Sequence, residues 1–406
     1  MPTRYGTSPW PHQFPASRVP AFPRFRDART ADVVIVGGGL TGCAAAYMCA
    51  AAGLTTILLE RDRLGQGQTA GNAGWLTPDP GPAFREVAST HGLRAARCVF
   101  EAWRRGALEG AALLRRLRVQ CHLEPRDTIV AAARGEQEKL LRREYDARRK
   151  AGLDVAWLTQ RQVQGRTRLE ASGALKMDDG FALDPYRACL GLATAAVRRG
   201  AACFERSRVR KVRFTRRHAD VIAEGETIRT RRVIVATGSA TVEFKALQRH
   251  FTRREAYGVL TEKMPARMRR QIGDPREALA DLHVPPRYVR WSGGDRLLVI
   301  GGDQRETADR KRAAVVVQRT NELMYELLTM YPAIYGLQPE YGWDAPYGET
   351  GDGLMYIGAH RNFPHHLFAL GGRAVSVTGA FVAARLLLRA VQGATEPADE
   401  VFSWTR

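Results

Sequence analysis

Lysine, paired cysteines and long apolar runs are scarce in this chain, and each shortage removes a class of function. Only seven of the 62 basic residues are lysine. The arginines that make up the rest are spread over the whole length. The formal charge of +20 therefore records a general arginine bias, and no basic block or RNA- or DNA-binding motif marks a nucleic-acid surface. The six cysteines, Cys43, Cys49, Cys98, Cys121, Cys189 and Cys203, include no CxxC pair and no cluster with histidine at metal-ligand spacing. They read as small apolar residues of a reducing compartment, with no disulfide framework and no metal centre. No apolar run is long enough to cross a bilayer and the first thirty residues lack an apolar signal core, so a cytoplasmic protein is expected.

At 406 residues, 45% of them hydrophobic, the chain has room for two domains sharing one cleft. It is organised around residues 31–61, ADVVIVGGGLTGCAAAYMCAAAGLTTILLER. Val33, Val34, Ile35 and Val36 form a short branched run that predicts a buried parallel strand. The turn Gly37-Gly38-Gly39-Leu40-Thr41-Gly42 follows. Its first glycine allows a sharp exit from the strand, Gly39 allows backbone to approach a diphosphate, and Gly42 lets the next helix, predicted over 41–52, lie close on the sheet. The helix N-terminus then points its amides and dipole at the phosphates. A second strand over 55–59 ends in Glu60 and Arg61, and Glu60 is placed to accept both hydroxyls of a ribose. This much predicts a bound dinucleotide without separating FAD from NAD.

Residues 1–30 interleave six prolines with Trp10, Phe14, Phe22 and Phe25, which reads as an extended arm lying on the body, with a disordered tail as the other reading, and with no regular helix. After Glu60 a small-residue loop carries Gly67, Thr69, Asn72, Ala73, Gly74 and Trp75, a composition that lets backbone run close to a flat ligand. A long amphipathic helix is predicted over 92–118, with Val99, Trp103, Leu108, Leu113 and Leu117 on its apolar face. Asp184-Pro185 is an N-cap followed by a first-turn proline. A second buried strand ends in Ala236-Thr237-Gly238, far from the first βαβ unit, as in flavoproteins and unlike simple NAD dehydrogenases. Near the C-terminus a strand over 367–370, the turn Gly371-Gly372-Arg373-Ala374 and the segment Val375-Ser376-Val377-Thr378 repeat the strand, glycine turn and helix of the opening.

With these motifs placed, GGGLTG with Glu60, GQTAGNAGW, FALDPYRACLGLATAAVRRGA, VIVATG, WDAPYGETGDGLMYIG and the terminal GG…SVTGAF, the chain resembles the FAD-dependent D-amino-acid oxidase and sarcosine or glycine oxidase superfamily over nearly all of residues 31–403. Within it the chain is most similar to the bacterial gamma-glutamylputrescine oxidase-like branch. The resemblance implies an α/β, GR2-type flavoprotein: a Rossmann-like FAD domain (31–90, 156–247 and 345–406) and a substrate domain on a large mixed β-sheet (91–155 and 248–344), after the arm of residues 1–30. It implies that Val209 touches the adenine by backbone, that residues 67–75 pass the isoalloxazine, and that the 371–378 turn stabilises its N1/C2=O side. Relatives with covalent flavin carry a cysteine where Ala345 stands or a histidine where Gly71 stands, so the resemblance implies non-covalent FAD.

Two positions depart from that pattern. Amino-acid-oxidising relatives often place a carboxylate-clamping arginine where this chain has Tyr347, which shifts the expected substrate toward an amine, N-substituted amine or elongated molecule. Arg373 stands where relatives run glycine; it is a cation facing flavin N1, a relocated carboxylate clamp, or a residue that crowds the site or points away. The expected reaction is hydride transfer from the carbon beside a neutral amine to flavin N5, with the imine then hydrolysed. Oxygen, a quinone or another carrier is the acceptor, and no acid–base dyad is identified. Tyr257, His283 and Trp291 are candidates for the pocket wall; His91 and the His365-His366 pair read as structural or solvated. The competing expectation is an FAD-binding module without amine oxidase activity.

Overall fold

The computed structural model describes residues 2–133, 135–283 and 286–406. The branched run behaves as expected: Val33, Val34 and Ile35 are completely buried in the Arg29–Val36 strand. That strand pairs in parallel with Thr56–Leu59 on one side and Glu226–Gly238 on the other. Among the described residues the strands form two sheets, one of eight and one of ten. The eight-stranded sheet runs Tyr356–Ala359, His366–Leu370, Glu226–Gly238, Arg29–Val36, Thr56–Leu59, Ala202–Phe204, with the Val209–Phe214 and Ala219–Ala223 hairpin attached to the Glu226–Gly238 strand. Three helices, Leu40–Ala51, Pro185–Arg198 and Thr378–Gln392, pack together on its face. The small residues of the first let the others approach. Asp184 caps Pro185–Arg198 as its sequence indicates, accepting from the Arg187 amide.

The ten-stranded sheet is built mainly from Pro339–Thr350, Phe251–Thr261, Arg296–Arg305, Tyr288–Ser292, Glu277–Asp281, Glu124–Ala132 and Gly173–Ala182. One of its faces packs against the helix Asp309–Met330, through Tyr257, Val259 and Trp291 against Val316, Leu323 and Leu327. The other face, carrying Ala256, Leu260, Trp343, Ala345 and Tyr347, joins the core shared with the nucleotide-sheet helices.

Three expectations need correction. Residues 156–182, assigned to the FAD domain, hold the Ala156–Thr159 and Gly173–Ala182 strands of the ten-stranded sheet, because their partner is Glu124–Ala132 rather than any nucleotide strand. The helix Leu93–Arg116, expected in the substrate domain, touches both halves: it contacts the Gly173–Ala182 strand of the ten-stranded sheet and packs on the helix Thr378–Gln392, where a Cβ on Gly106 would stand 2.5 Å from Val382 and one on Gly110 2.8 Å from Phe381. Leu108 faces solvent there.

The proline-rich arm does contain a helix, the single turn Pro9–Gln13. Pro9 occupies its first position and Pro11 its first turn, where no amide is needed, and Ser8 Oγ accepts from the Trp10 amide. The arm lies on the body. Arg4–Tyr5 adds to the edge of the ten-stranded sheet, Phe25 is buried, and Trp10 is buried with its Nε1 donating to Asn72 O at 2.9 Å. Trp10→Ala should therefore cost about 3–5 kcal/mol in denaturant unfolding, as for other buried aromatics. An unchanged midpoint would show that the arm is not part of the folded core.

Candidate active site

At the carboxyl end of the nucleotide sheet, steric limits explain the glycines. Gly37 has φ +110° and a Cβ on it would lie 2.6 Å from Ala236 O; one on Gly42 would lie 1.9 Å from Gly37 O. Only glycine lets the turn close and the helix start against it. Thr69 Oγ1 accepts the Leu40 amide at 2.9 Å. Glu60 reaches back over the turn, with Oε2 accepting from Gly38 N–H at 2.7 Å and Oε1 from Asp62 N–H at 2.9 Å. Ser207 N–H donates to Glu60 O at 2.7 Å, which sets the buried Val209 close to the acid. Gly238 O accepts the Gly371 amide at 2.9 Å, joining the two glycine-ended strands. Thus Gly37 to Gly42, Glu60, Val209, Ala236 to Gly238 and Gly371 converge, whereas Arg61 and Gly67 lie on the exposed rim and Arg61 pairs with Asp62. A Cβ-free turn at a helix N-terminus beside a carboxylate fits the diphosphate and ribose of FAD.

The small-residue loop meets the C-terminal turn main chain to main chain. Ala73 N–H donates to Ala374 O at 2.9 Å, Trp75 N–H to Val375 O at 3.3 Å and Val377 N–H to Trp75 O at 2.9 Å. Asn72 Nδ2 donates to Arg373 O and Ser376 O, both at 3.3 Å, and Thr378 Oγ1 to Thr77 O at 2.7 Å. Arg290, which the sequence did not single out, holds this seam from the ten-stranded sheet. Its Nε donates to Ala73 O at 2.8 Å and its Nη2 to Leu183 O at 3.2 Å. Burial without a carboxylate, aided by the charge of Arg126, pulls its pKa down to about 9.

Above the seam the ten-stranded sheet presents Tyr347, Tyr288 and Asp303, with Arg373 rising toward them from the turn. Tyr347 donates to Asp303 Oδ2 at 2.5 Å, and burial followed by the Asp303 charge pushes the phenol's pKa up. Tyr288 affects Arg373 most, and Tyr347, Asp303 and Glu349 add to it, so against the cost of burial the guanidinium is held firmly protonated. Its Nε is buried without a hydrogen-bond partner among the described residues. Tyr257 and Trp291 are not part of this wall. Strand alternation sends both to the opposite face under the Asp309–Met330 helix, and the Tyr257 hydroxyl donates to Glu255. His283 is exposed and bonded to Asp281 and Arg287. His91 binds Asp352 at 3.0 Å, and His365 and His366 bond to the carbonyls of Thr215 and Pro364.

Asp303 was also missed. The only sequence signal for it is the Gly301-Gly302 pair that precedes it.

A profile of FAD dependent oxidoreductases matches residues 32–390. The chain belongs to this family. Gamma-glutamylputrescine oxidoreductase of Escherichia coli is 23% identical over 395 residues, 95% of this chain and 89% of that protein. Among solved structures, glycine oxidase from Geobacillus kaustophilus superposes with a TM-score of 0.77 at 22% identity, covering 93% of this chain and 99% of that one. L-alpha-glycerophosphate oxidase from Mycoplasma pneumoniae, solved with FAD bound, gives 0.73 at 17% identity over 89% of this chain and 95% of the other. As an FAD dependent oxidoreductase, the protein should hold its cofactor partly through Glu60. Glu60→Ala should weaken FAD binding roughly tenfold to a hundredfold, the range for losing hydrogen bonds to a charged group. The flavin-to-protein ratio after gel filtration measures it, and unchanged occupancy would remove Glu60 from the ribose site.

Proposed function

We propose that this oxidoreductase oxidises the C–N bond of an amine or amino-acid-like small molecule, the resulting imine being hydrolysed by water, with FAD held non-covalently and reoxidised by oxygen, a quinone or another carrier. The observation that carries the proposal is the seam between residues 72–77 and 374–378, which adjoins the wall of Tyr347, Tyr288 and Asp303: the Trp75 ring meets that of Tyr288 edge to face at 5.8 Å, and Arg373 beside the seam lies within electrostatic reach of Tyr288, Tyr347 and Asp303. When bound, FAD supplies the hydride acceptor. The chain supplies the rest. The seam residues would hold the flavin ring, Tyr288 and Tyr347 would keep water from it, and Arg373, whose Nε is buried without a partner among the described residues, would supply a cation for the negative charge that grows on reduction. The named activity of the gamma-glutamylputrescine relative supports an amine as substrate class.

Support for non-covalent attachment comes from Gly71 and Ala345. Their backbones are packed so closely that a Cβ on Gly71 would stand 2.9 Å from that of Ala345, and neither offers a nucleophile. All six cysteines are free thiols, in keeping with a cytoplasmic setting, and no helix among the described residues is long and apolar enough to cross a membrane. The second reading, an FAD-binding module without turnover, is favoured by Arg373 standing within the proposed site.

Anaerobic mixing of the yellow holoenzyme with a panel of primary and secondary amines decides between them. Bleaching by one of the panel supports the enzyme, and no bleaching by any supports the binding module. Arg373→Ala should slow that bleaching roughly a hundredfold, as for removal of one preorganised charge-stabilising donor. A variant reduced at the normal rate would remove Arg373 from the reaction.

A further inference from the structure

The Arg296–Arg305 strand carries a local irregularity with a chemical consequence. Tyr257 faces Gly301 across the ladder and Glu255 faces Gln304, so two residues, Gly302 and Asp303, oppose the single Ala256. Gly302 takes the extra turn at φ +64°. The side-chain parity of the strand is thereby inverted. Ile300 lies on the face toward the seam and Val299 on the face toward the Asp309–Met330 helix. Without the bulge Asp303 would follow Val299 under that helix; with it, Asp303 stands beside Tyr347 on the seam side.

A carboxylate placed there is costly and incompletely answered. Its one side-chain hydrogen bond among the described residues comes from the Tyr347 hydroxyl to Oδ2. The charged and titratable groups around it are Tyr347 and Glu349 on Pro339–Thr350, Arg254 on Phe251–Thr261, Tyr288 on Tyr288–Ser292, and Arg373 on the C-terminal turn. Arg254 is already taken by Glu349 at 2.8 Å. Burial pushes the Asp303 pKa above its ordinary value, against the Tyr347 hydrogen bond and the Arg373 charge. Oδ1 has no hydrogen-bond donor among the described residues.

We propose that Asp303, turned into the site by the Gly302 bulge and oriented by Tyr347, is the specificity-determining residue for the substrate's charge: it receives a protonated amino group and makes the site select cationic amines over molecules carrying only a carboxylate. The inference rests on the amine-oxidising reading above and gives it a substrate class. An ammonium group answers the free oxygen with a charge-assisted hydrogen bond, while the Tyr347 phenol, which offers no positive charge, cannot clamp a carboxylate in its place. The same carboxylate is able to accept the proton that an ammonium must lose before its carbon gives up a hydride. In that transfer the N–H bond breaks, an O–H bond forms on Asp303, and the neutral amine remains.

The test compares wild-type holoenzyme with Asp303→Asn, which keeps an acceptor for the Tyr347 hydroxyl. Butylamine, a diaminobutane and butyrate are titrated anaerobically, with the shift in flavin absorbance and calorimetry as readouts. The amines should bind wild type and weaken roughly tenfold to a hundredfold in the variant, while butyrate does not weaken. Amine binding to wild type should also fall as pH drops through the Asp303 range. A carboxyl whose pKa is raised by folding costs stability at pH values above its titration, so Asp303→Asn should melt no lower than wild type at neutral pH, and the difference should vanish in acid. Equal amine affinity in the two proteins overturns the proposal, as does absence of any amine response in wild type at millimolar concentration. A lower melting temperature for the variant would make Asp303 structural and overturns it too. Amines that bind through Asp303 yet never bleach the flavin would sink the oxidation and leave the subsite standing. Oxidation with affinity indifferent to Asp303 would do the reverse.

Discussion

The arrangement depends on one contact between distant pieces of main chain: the loop from Asn72 to Thr77 hydrogen-bonded along the segment from Arg373 to Thr378, 301 positions further on. Main-chain bonds at these distances leave little freedom of register, so the loop that follows the Thr56–Leu59 strand and the turn that precedes the Thr378–Gln392 helix are set as one surface. Other features serve to hold it. Arg290 ties the loop's carbonyls to the ten-stranded sheet, Trp10 of the arm binds Asn72 O from the other side, and Gly238 receives Gly371. A buried guanidinium bonded only to carbonyls is an expensive way to fasten a loop. Its presence argues that the position of the loop matters more to this chain than the stability it costs.

The charges above that surface follow from the same constraint. Strand alternation would have given the wall to small and apolar residues, Ala256, Leu298 and Ile300, with the aromatic edge supplied by Tyr288 and Tyr347. A single extra residue at Gly302 adds an anion, and the terminal turn adds a cation. In the proposed reading these opposite charges serve different partners, Arg373 the flavin and Asp303 the substrate nitrogen.

Much of the nucleotide half was legible because its signals are local. A branched run, three glycines and an acid lie within thirty residues, and the turn they form is dictated by which Cβ atoms would collide. Asp184-Pro185 was legible for the same reason. The substrate half was not, since its features depend on pairing between distant strands. Nothing in residues 156–182 says that they pair with Glu124–Ala132. Alternation shows that Tyr257 and Ala256 point to opposite faces, but only the neighbouring helix and sheet decide which face is which. Gly301-Gly302 reads as an ordinary glycine pair until the ladder shows the bulge, and Arg290 looks like any of the chain's other arginines until its burial is known. The Pro9–Gln13 helix was missed because proline density argues against helices in general while favouring their first turn.

The most direct test of the central claim is titration of the deflavinated protein with FAD, followed by flavin fluorescence and by hydrogen exchange at the amides of residues 72–77 and 374–378. One FAD should bind per chain, with its fluorescence changed, and both segments should gain protection together as it does. Failure to bind, or protection of one segment while the other stays as open as before, would contradict the claim that the two ends of the chain close on a single flavin.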